Sequence, residues 1–186
     1  MNVVTGNFTP SFTDLSVAGL GVTTDFQRTY NSQFPLSGPF GSFGSFGPGW
    51  AFSYGMSVTS VSGAVYVTYG SGRVQRFVLN ANGSYTPPPG NYDTLTGTAE
   101  GFTLKRRDQV AYDFNQSGEL TSITDPNGNT TTLKYTAGEL TGITDAAGRG
   151  YALYHNHNGE IIRITGPDGV AMEYGYDAGG NLVRSR

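Results

Sequence analysis

The chain has no cysteine and only two histidines in 186 residues. That excludes disulfides, thiolate metal sites and thiol nucleophiles, and it is compatible with export without showing it. Charge is scarce as well: 13% of residues are charged and the formal net charge is −3. Lys105-Arg106-Arg107 forms the one cationic run, and Asp108 follows it directly. Nucleic acid is therefore not an expected partner, because phosphate binding needs concentrated Lys and Arg. The run reads as a solvated hairpin end. No apolar run approaches the length of a membrane helix, so no membrane span is expected. Met1-Asn2-Val3-Val4-Thr5 lacks the basic and apolar parts of a signal peptide. No segment holds a 3.6-residue apolar period between caps, so little or no helix is expected.

What the chain does have is glycine (28 residues), tyrosine (12) and phenylalanine (11). Bulky aromatics spaced by turn formers predict an all-β, turn-dense protein. Two regions are expected: an all-β segment over residues 1–109 and a repeat region over 110–186. In the first, Thr23–Tyr30 reads as a strand with Phe26, Arg28 and Tyr30 on one face. Val65, Val67 and Tyr69 pair with Val74–Leu79 around Gly70-Ser71-Gly72. Residues 35–49 form a Gly/Phe/Ser/Pro loop that cannot sustain a sheet ladder. Its Phe40, Phe43 and Phe46 recur every three residues. They either pin the loop to the body or form an aromatic patch for a partner.

In the second region one phrase recurs: Gly118-Glu119-Leu120, Gly138-Glu139-Leu140, Gly159-Glu160-Ile161 and Gly180-Asn181-Leu182, at intervals of 20, 21 and 21 residues. A fixed period of this size means one supersecondary unit laid down repeatedly. Each unit reads as two strands joined by turns such as Asp125-Pro126-Asn127-Gly128, where Pro sets φ and Gly accepts a left-handed conformation. Antiparallel hairpins stacked into a curved, spiralling sheet are the expected fold. Leu120 and Ile123 are three apart, as are Leu140 and Ile143. Either a bulge separates them or both faces are partly buried.

These repeats resemble the YD repeats of the Rhs family, also found in teneurins and insecticidal toxin complexes. The residues that carry the likeness are Tyr112-Asp113 ahead of Gly118-Glu119-Leu120, and Tyr176-Asp177 ahead of Gly180-Asn181-Leu182; Tyr135-Thr136 and Tyr154-His155 lack the Asp. The front of the chain resembles the segment that opens the repeat region in many Rhs proteins. Its marks here are Val4-Thr5-Gly6-Asn7-Phe8, Arg28-Thr29-Tyr30-Asn31-Ser32 and Phe46-Gly47-Pro48-Gly49-Trp50. The resemblance implies a β-sheet shell that encloses a separate toxin or effector, and a secreted or bacterial cell-surface location. This chain carries too few repeats to close a shell, so it reads as the opening portion of a longer protein or as a short relative.

Candidate chemistry is thin. Asp125-Pro126-Asn127-Gly128-Asn129 has the look of a calcium loop but lacks a distal Glu, and the corresponding turn holds Ala146 and Ala147; a turn is expected. His155 and His157 have only Glu160 as a sequence-local third ligand. Glu119, Glu139 and Glu160 recur at one repeat position, where solvated carboxylates that discourage edge pairing are expected rather than catalysis. Tyr112, Tyr135, Tyr154, Tyr174 and Tyr176 read as ladder aromatics of the repeat core or as ligand contacts. No catalytic residue, cofactor or metal is expected. The expected role is a structural scaffold, with its own longer chain or copies of itself as partners through open sheet edges. The alternative is an adhesive module that binds carbohydrate or protein through exposed tyrosines.

Overall fold

The computed structural model describes residues 6–17, 25–33 and 45–186. Phe40 and Phe43 lie outside them. Within them every strand pairing is antiparallel and no helix forms. Three sheets share one hydrophobic core. β1 (Ser11–Leu15), β2 (Phe26–Tyr30) and β3 (Trp50–Phe52) make the first. β4 (Ser57–Val61), β5 (Ala64–Thr68), β6 (Val74–Leu79) and β7 (Tyr85–Thr86) make the second, which contains the hairpin expected around Gly70–Gly72.

The third sheet is a ten-stranded meander. It comprises β8 (Thr94–Gly97), β9 (Gly101–Lys105), β10 (Ala111–Asn115), β11 (Leu120–Thr124), β12 (Thr130–Thr136), β13 (Glu139–Thr144), β14 (Gly150–His155), β15 (Ile161–Thr165), β16 (Ala171–Tyr176) and β17 (Leu182–Ser185). The strands lie in sequence order from β8 to β17, and β17 does not pair back on β8. The sheet thus begins at Thr94, ahead of the repeat phrase itself, because Phe102 and Leu104 pair with Phe114 and Tyr112 in the same antiparallel register.

The three-residue spacing of Leu120 and Ile123 resolves as a bulge. Asp113 faces Ser122 but Phe114 faces Leu120, so Thr121 is the extra residue. Register shifts recur at Lys134/Tyr135, Tyr154/His155 and Gly175/Tyr176. The bulge lets Leu120 and Ile123 both face the core, at 0% and 4% exposure. One slipped residue per repeat keeps the inward face apolar.

Candidate functional site

The repeated phrase forms a corner that is built alike at Gly118 and Gly159, while the Gly138 copy is a tighter turn with Ala137 and Gly138 at φ of +53° and +82°. In Asn115-Gln116-Ser117-Gly118, the Gly118 amide donates to the Asn115 carbonyl, and the Asn115 amide donates to the Glu119 carbonyl. The Asn115 side-chain oxygen accepts from the Ser117 and Glu119 amides, and its Nδ2 donates to Glu119 Oε2 at 2.8 Å. Asn156 repeats the pattern with Asn158 and Glu160. At the opposite end of the hairpins, Asp125 and Asp145 do the same work. Asp125 accepts from the amides of Asn127 and Asn129 and from Asn129 Nδ2. Asp145 holds the Ala147 and Arg149 amides and the Arg149 guanidinium. The Asn129 side chain in particular holds the Asp125 carboxyl below its usual range. Short polar side chains that bond their own backbone two residues on are turn-makers. These carboxylates are engaged within their own turns, and among the described residues no group of three His, Cys, Asp or Glu could hold a metal.

The pairings at the bulge define the repeat register: Phe114 faces Leu120, Tyr135 faces Leu140, His155 faces Ile161 and Tyr176 faces Leu182. One ladder therefore runs Phe114, Tyr135, His155, Tyr176. Tyr176-Asp177 falls in this register, with Asp177 as the turn residue that accepts from the Gly179 and Asn181 amides. Tyr112-Asp113 lies two residues out of it. Asp113 is in mid-strand, accepting from the Thr103 and Ser122 hydroxyls at 2.7 Å each. The five tyrosines singled out from the sequence accordingly occupy three positions. Tyr135 and Tyr176 belong to the ladder. Tyr112 and Tyr174 are buried two residues upstream, in a row completed by Leu133 and Leu153. Tyr154 points to the opposite face and is 51% exposed.

Each ladder residue after Phe114 lies near the carboxylate of the repeat before it: Tyr135 near Glu119, His155 near Glu139 and Tyr176 near Glu160. Burial first, then the charge of Glu119, pushes the Tyr135 phenol up; Glu160 adds to burial in the same way at Tyr176. Tyr176 donates to the Ile161 carbonyl at 2.6 Å. In the third repeat the ladder position is His155, whose side chain is 4% exposed and whose Nδ1 lies 3.8 Å from Glu139 Oε2. Its Nε2 is buried without a partner among the described residues. Burial lowers its pKa, and the Glu139 charge opposes that only in part. His157 is exposed in the following turn, so the two histidines do not converge.

Residues 45–58 run as a strap across these corners. The Ile161 amide donates to the Ser45 carbonyl at 2.6 Å, Ser57 bridges Glu119, and the Val58 amide donates to the Gly118 carbonyl at 2.9 Å. The strap is anchored by Phe46, which is fully buried and packs edge-on against Phe26, Phe52 and Tyr174 with centroids 4.9 to 5.9 Å apart. Of the two readings of the loop, Phe46 follows the one that pins it to the body, and it does not belong to an exposed patch. Behind it Arg28, 3% exposed, makes a two-pronged ion pair with Asp14. The guanidinium carbon lies 5.0 Å from the ring centroids of Trp50 and Tyr174. Tyr174 donates to Asp14 at 2.8 Å. Burial works against the Arg28 charge, but the bond and charge of Asp14 more than reverse it. This brace joins β1 and β2 to the last full repeat. The sequence held one signal for it, an arginine between two aromatics on one strand face.

Residues 114–149 and 155–186 match the RHS repeat, and residues 1–77 match a domain of unknown function, DUF6531. The chain belongs to the Rhs/YD-repeat family. This Rhs chain is 34% identical over 99% of its length to a tRNA nuclease WapA of Bacillus subtilis (strain 168), and it covers 9% of that protein. A tRNA3(Ser)-specific nuclease WapA of Bacillus spizizenii is 36% identical over 73% of the chain, which covers 6% of it. A double-stranded DNA deaminase toxin A of Burkholderia cenocepacia is 33% identical over 40% of the chain, which covers 5% of it. The chain thus spans less than a tenth of the length of the curated relatives it matches. Among the described residues of this Rhs segment, no helix is long and apolar enough to cross a membrane.

Proposed function

We propose that this chain is a non-catalytic structural scaffold: the opening part of an Rhs/YD-repeat β shell, displayed at or beyond the cell surface, that carries or encloses a toxin. One observation supports this most. Among the described residues each end strand of the ten-stranded sheet pairs on one side only, β8 with β9 and β17 with β16. At the start, Tyr85 of β7 packs edge-on against Phe102 at 6.1 Å, beside β8. At the finish, β17 pairs with β16 and with no other described strand. An end strand with one unpaired edge accepts further strands by backbone pairing. The nuclease and deaminase activities belong to the relatives' names, and nothing among the side chains described above assembles such a site.

The test is strand addition. A synthetic hairpin spelling residues 118–137 is titrated into the isotopically labelled chain. Saturable NMR shifts are expected at the amides of Leu182–Ser185, and they are expected to vanish in Val183→Pro. Shifts absent or scattered over the whole surface would reject the reading. Adhesion through exposed tyrosines is a second reading, favoured by Tyr154 and by the 73% exposed Tyr92, over which Arg107 lies at 5.5 Å. Glycan titration against wild type and Tyr154→Ala tests it.

A further inference from the structure

A cavity of about 340 Å³ lies where the second sheet meets the repeats, and it belongs to none of the roles above. Its lining includes Tyr54, Tyr69, Arg73, Arg106, Tyr112 and Thr131, with no carboxylate among the lining residues. Both arginines are placed by closed turns. The Tyr69 amide donates to the Arg73 carbonyl at 2.8 Å and the Arg106 amide donates to the Val110 carbonyl at 2.9 Å. Gly70 fixes the first turn, since a Cβ there would meet the Ser53 backbone at 2.9 Å.

The two cations are incompletely used. Arg73 stacks on Tyr69, 4.5 Å from the ring centroid, and pairs with no carboxylate among the described residues. Arg106 reaches Tyr112 Oη at 3.4 Å and, on its solvent side, Asp108 at 3.6 Å. A second, independent feature lies in the same wall. Tyr54 is 3% exposed and its hydroxyl has no hydrogen-bond partner among the described residues. A buried hydroxyl left unpaired is costly, and such groups in native proteins usually have a partner. Burial above all, with Tyr151, Asp25 and Asp145 nearby, keeps that phenol protonated and hence a donor.

We infer that this cavity is a binding site for a monosaccharide-sized anion: a carboxylate or phosphate carried on a hydroxylated ring. The oxyanion lies between the Arg73 and Arg106 guanidinia, which suit planar oxyanions. The ring packs on the tyrosine faces, with Ser71 and Thr131 to bond its hydroxyls. The volume is at the lower end of small-molecule pockets, enough for one sugar ring. This site is independent of the scaffold role.

The test uses glucuronate, glucose 6-phosphate and, as neutral control, glucose, followed by NMR shifts and calorimetry. Both anions are expected to give saturable shifts at Ser53, Ser71 and Thr131, and glucose none. Arg73→Gln with Arg106→Gln, both exposed and therefore safe for folding, is expected to weaken either anion by about tenfold or more per arginine, the usual size of a charge-assisted hydrogen bond. Tyr54→Phe removes only an oxygen and is expected to weaken binding while leaving the urea midpoint unchanged or raised. Absence of saturable shifts with both anions, affinity unchanged in the double variant, or glucose binding as tightly as glucuronate would each overturn the assignment.

Discussion

His155 stands where neighbouring repeats place Phe114, Tyr135 and Tyr176, and it does so buried, with one nitrogen unpaired among the described residues. Its pKa is lowered from an ordinary 6.5 in the folded chain and is ordinary in the unfolded one. The unfolded state therefore binds the proton first as pH falls, and folding stability drops below about pH 6.5. The turn aspartates also have lowered values, but they lose stability only below their ordinary 3.8. The two effects fall in separate windows. Urea midpoints at pH 7.5 and 5.5 are expected to differ in wild type and to converge in His155→Tyr, which restores the ladder aromatic. Equal pH dependence in both proteins would remove His155 as the cause. Arg28 gives the second prediction at this scale. Arg28→Ala leaves Asp14 buried without its countercharge, and breaking a buried pair in this way costs about 3–5 kcal/mol. Urea unfolding at neutral pH checks it; a loss under about 1 kcal/mol would mean that water reaches Asp14 and solvates it.

The repeat unit shows what the sequence could and could not say about elements. Strand positions, turn residues and the period were all legible, because alternation and Asp-Pro-Asn-Gly chemistry are local. The choice between bulge and two-faced burial was not. It depends on which residue of β10 opposes Leu120, a long-range fact. For the same reason Tyr112-Asp113 passed for the repeat dipeptide: the pattern matched, but the bulge sets the register at Phe114. The partners of Phe46 and of Arg28 were hidden because they lie far away in sequence. The corner glycines separate local from long-range cost. Gly118 and Gly128 have φ of +82° and +86°. A side chain at Gly128 meets nothing within 4 Å, whereas at Gly118 it would collide with the Val58 carbonyl of the strap. Gly128→Ala is expected to cost only the left-handed backbone penalty, about 1–2 kcal/mol. Gly118→Ala is expected to cost clearly more and to raise hydrogen exchange at Val58, whose amide donates to the Gly118 carbonyl. Equal losses in the two variants would show that the strap does not press on the corner.

At the scale of the molecule, the ten-stranded sheet is not self-sufficient. Its inward residues, among them Leu104, Leu120, Ile161 and Ile164, are fully buried in a core shared with Phe26, Phe46, Phe52 and Phe77 from the N-terminal sheets and strap. Phe26 meets Tyr151 edge-on at 6.0 Å, and Phe46 meets Tyr174 at 4.9 Å. Without that cover the sheet would expose one continuous apolar face, far more than soluble proteins leave bare. Residues 94–186 expressed alone are therefore expected to bind a hydrophobic dye, to self-associate and to unfold without a cooperative transition. Adding residues 1–93 in trans is expected to restore a sharp urea transition, because the joined surfaces are those of a core rather than of a loose contact. Fragment 94–186 melting cooperatively at the midpoint of the intact chain would make the opening segment an appendage. Rescue by residues 1–93, lost again with Arg28→Ala, would make it the template on which the first repeats fold.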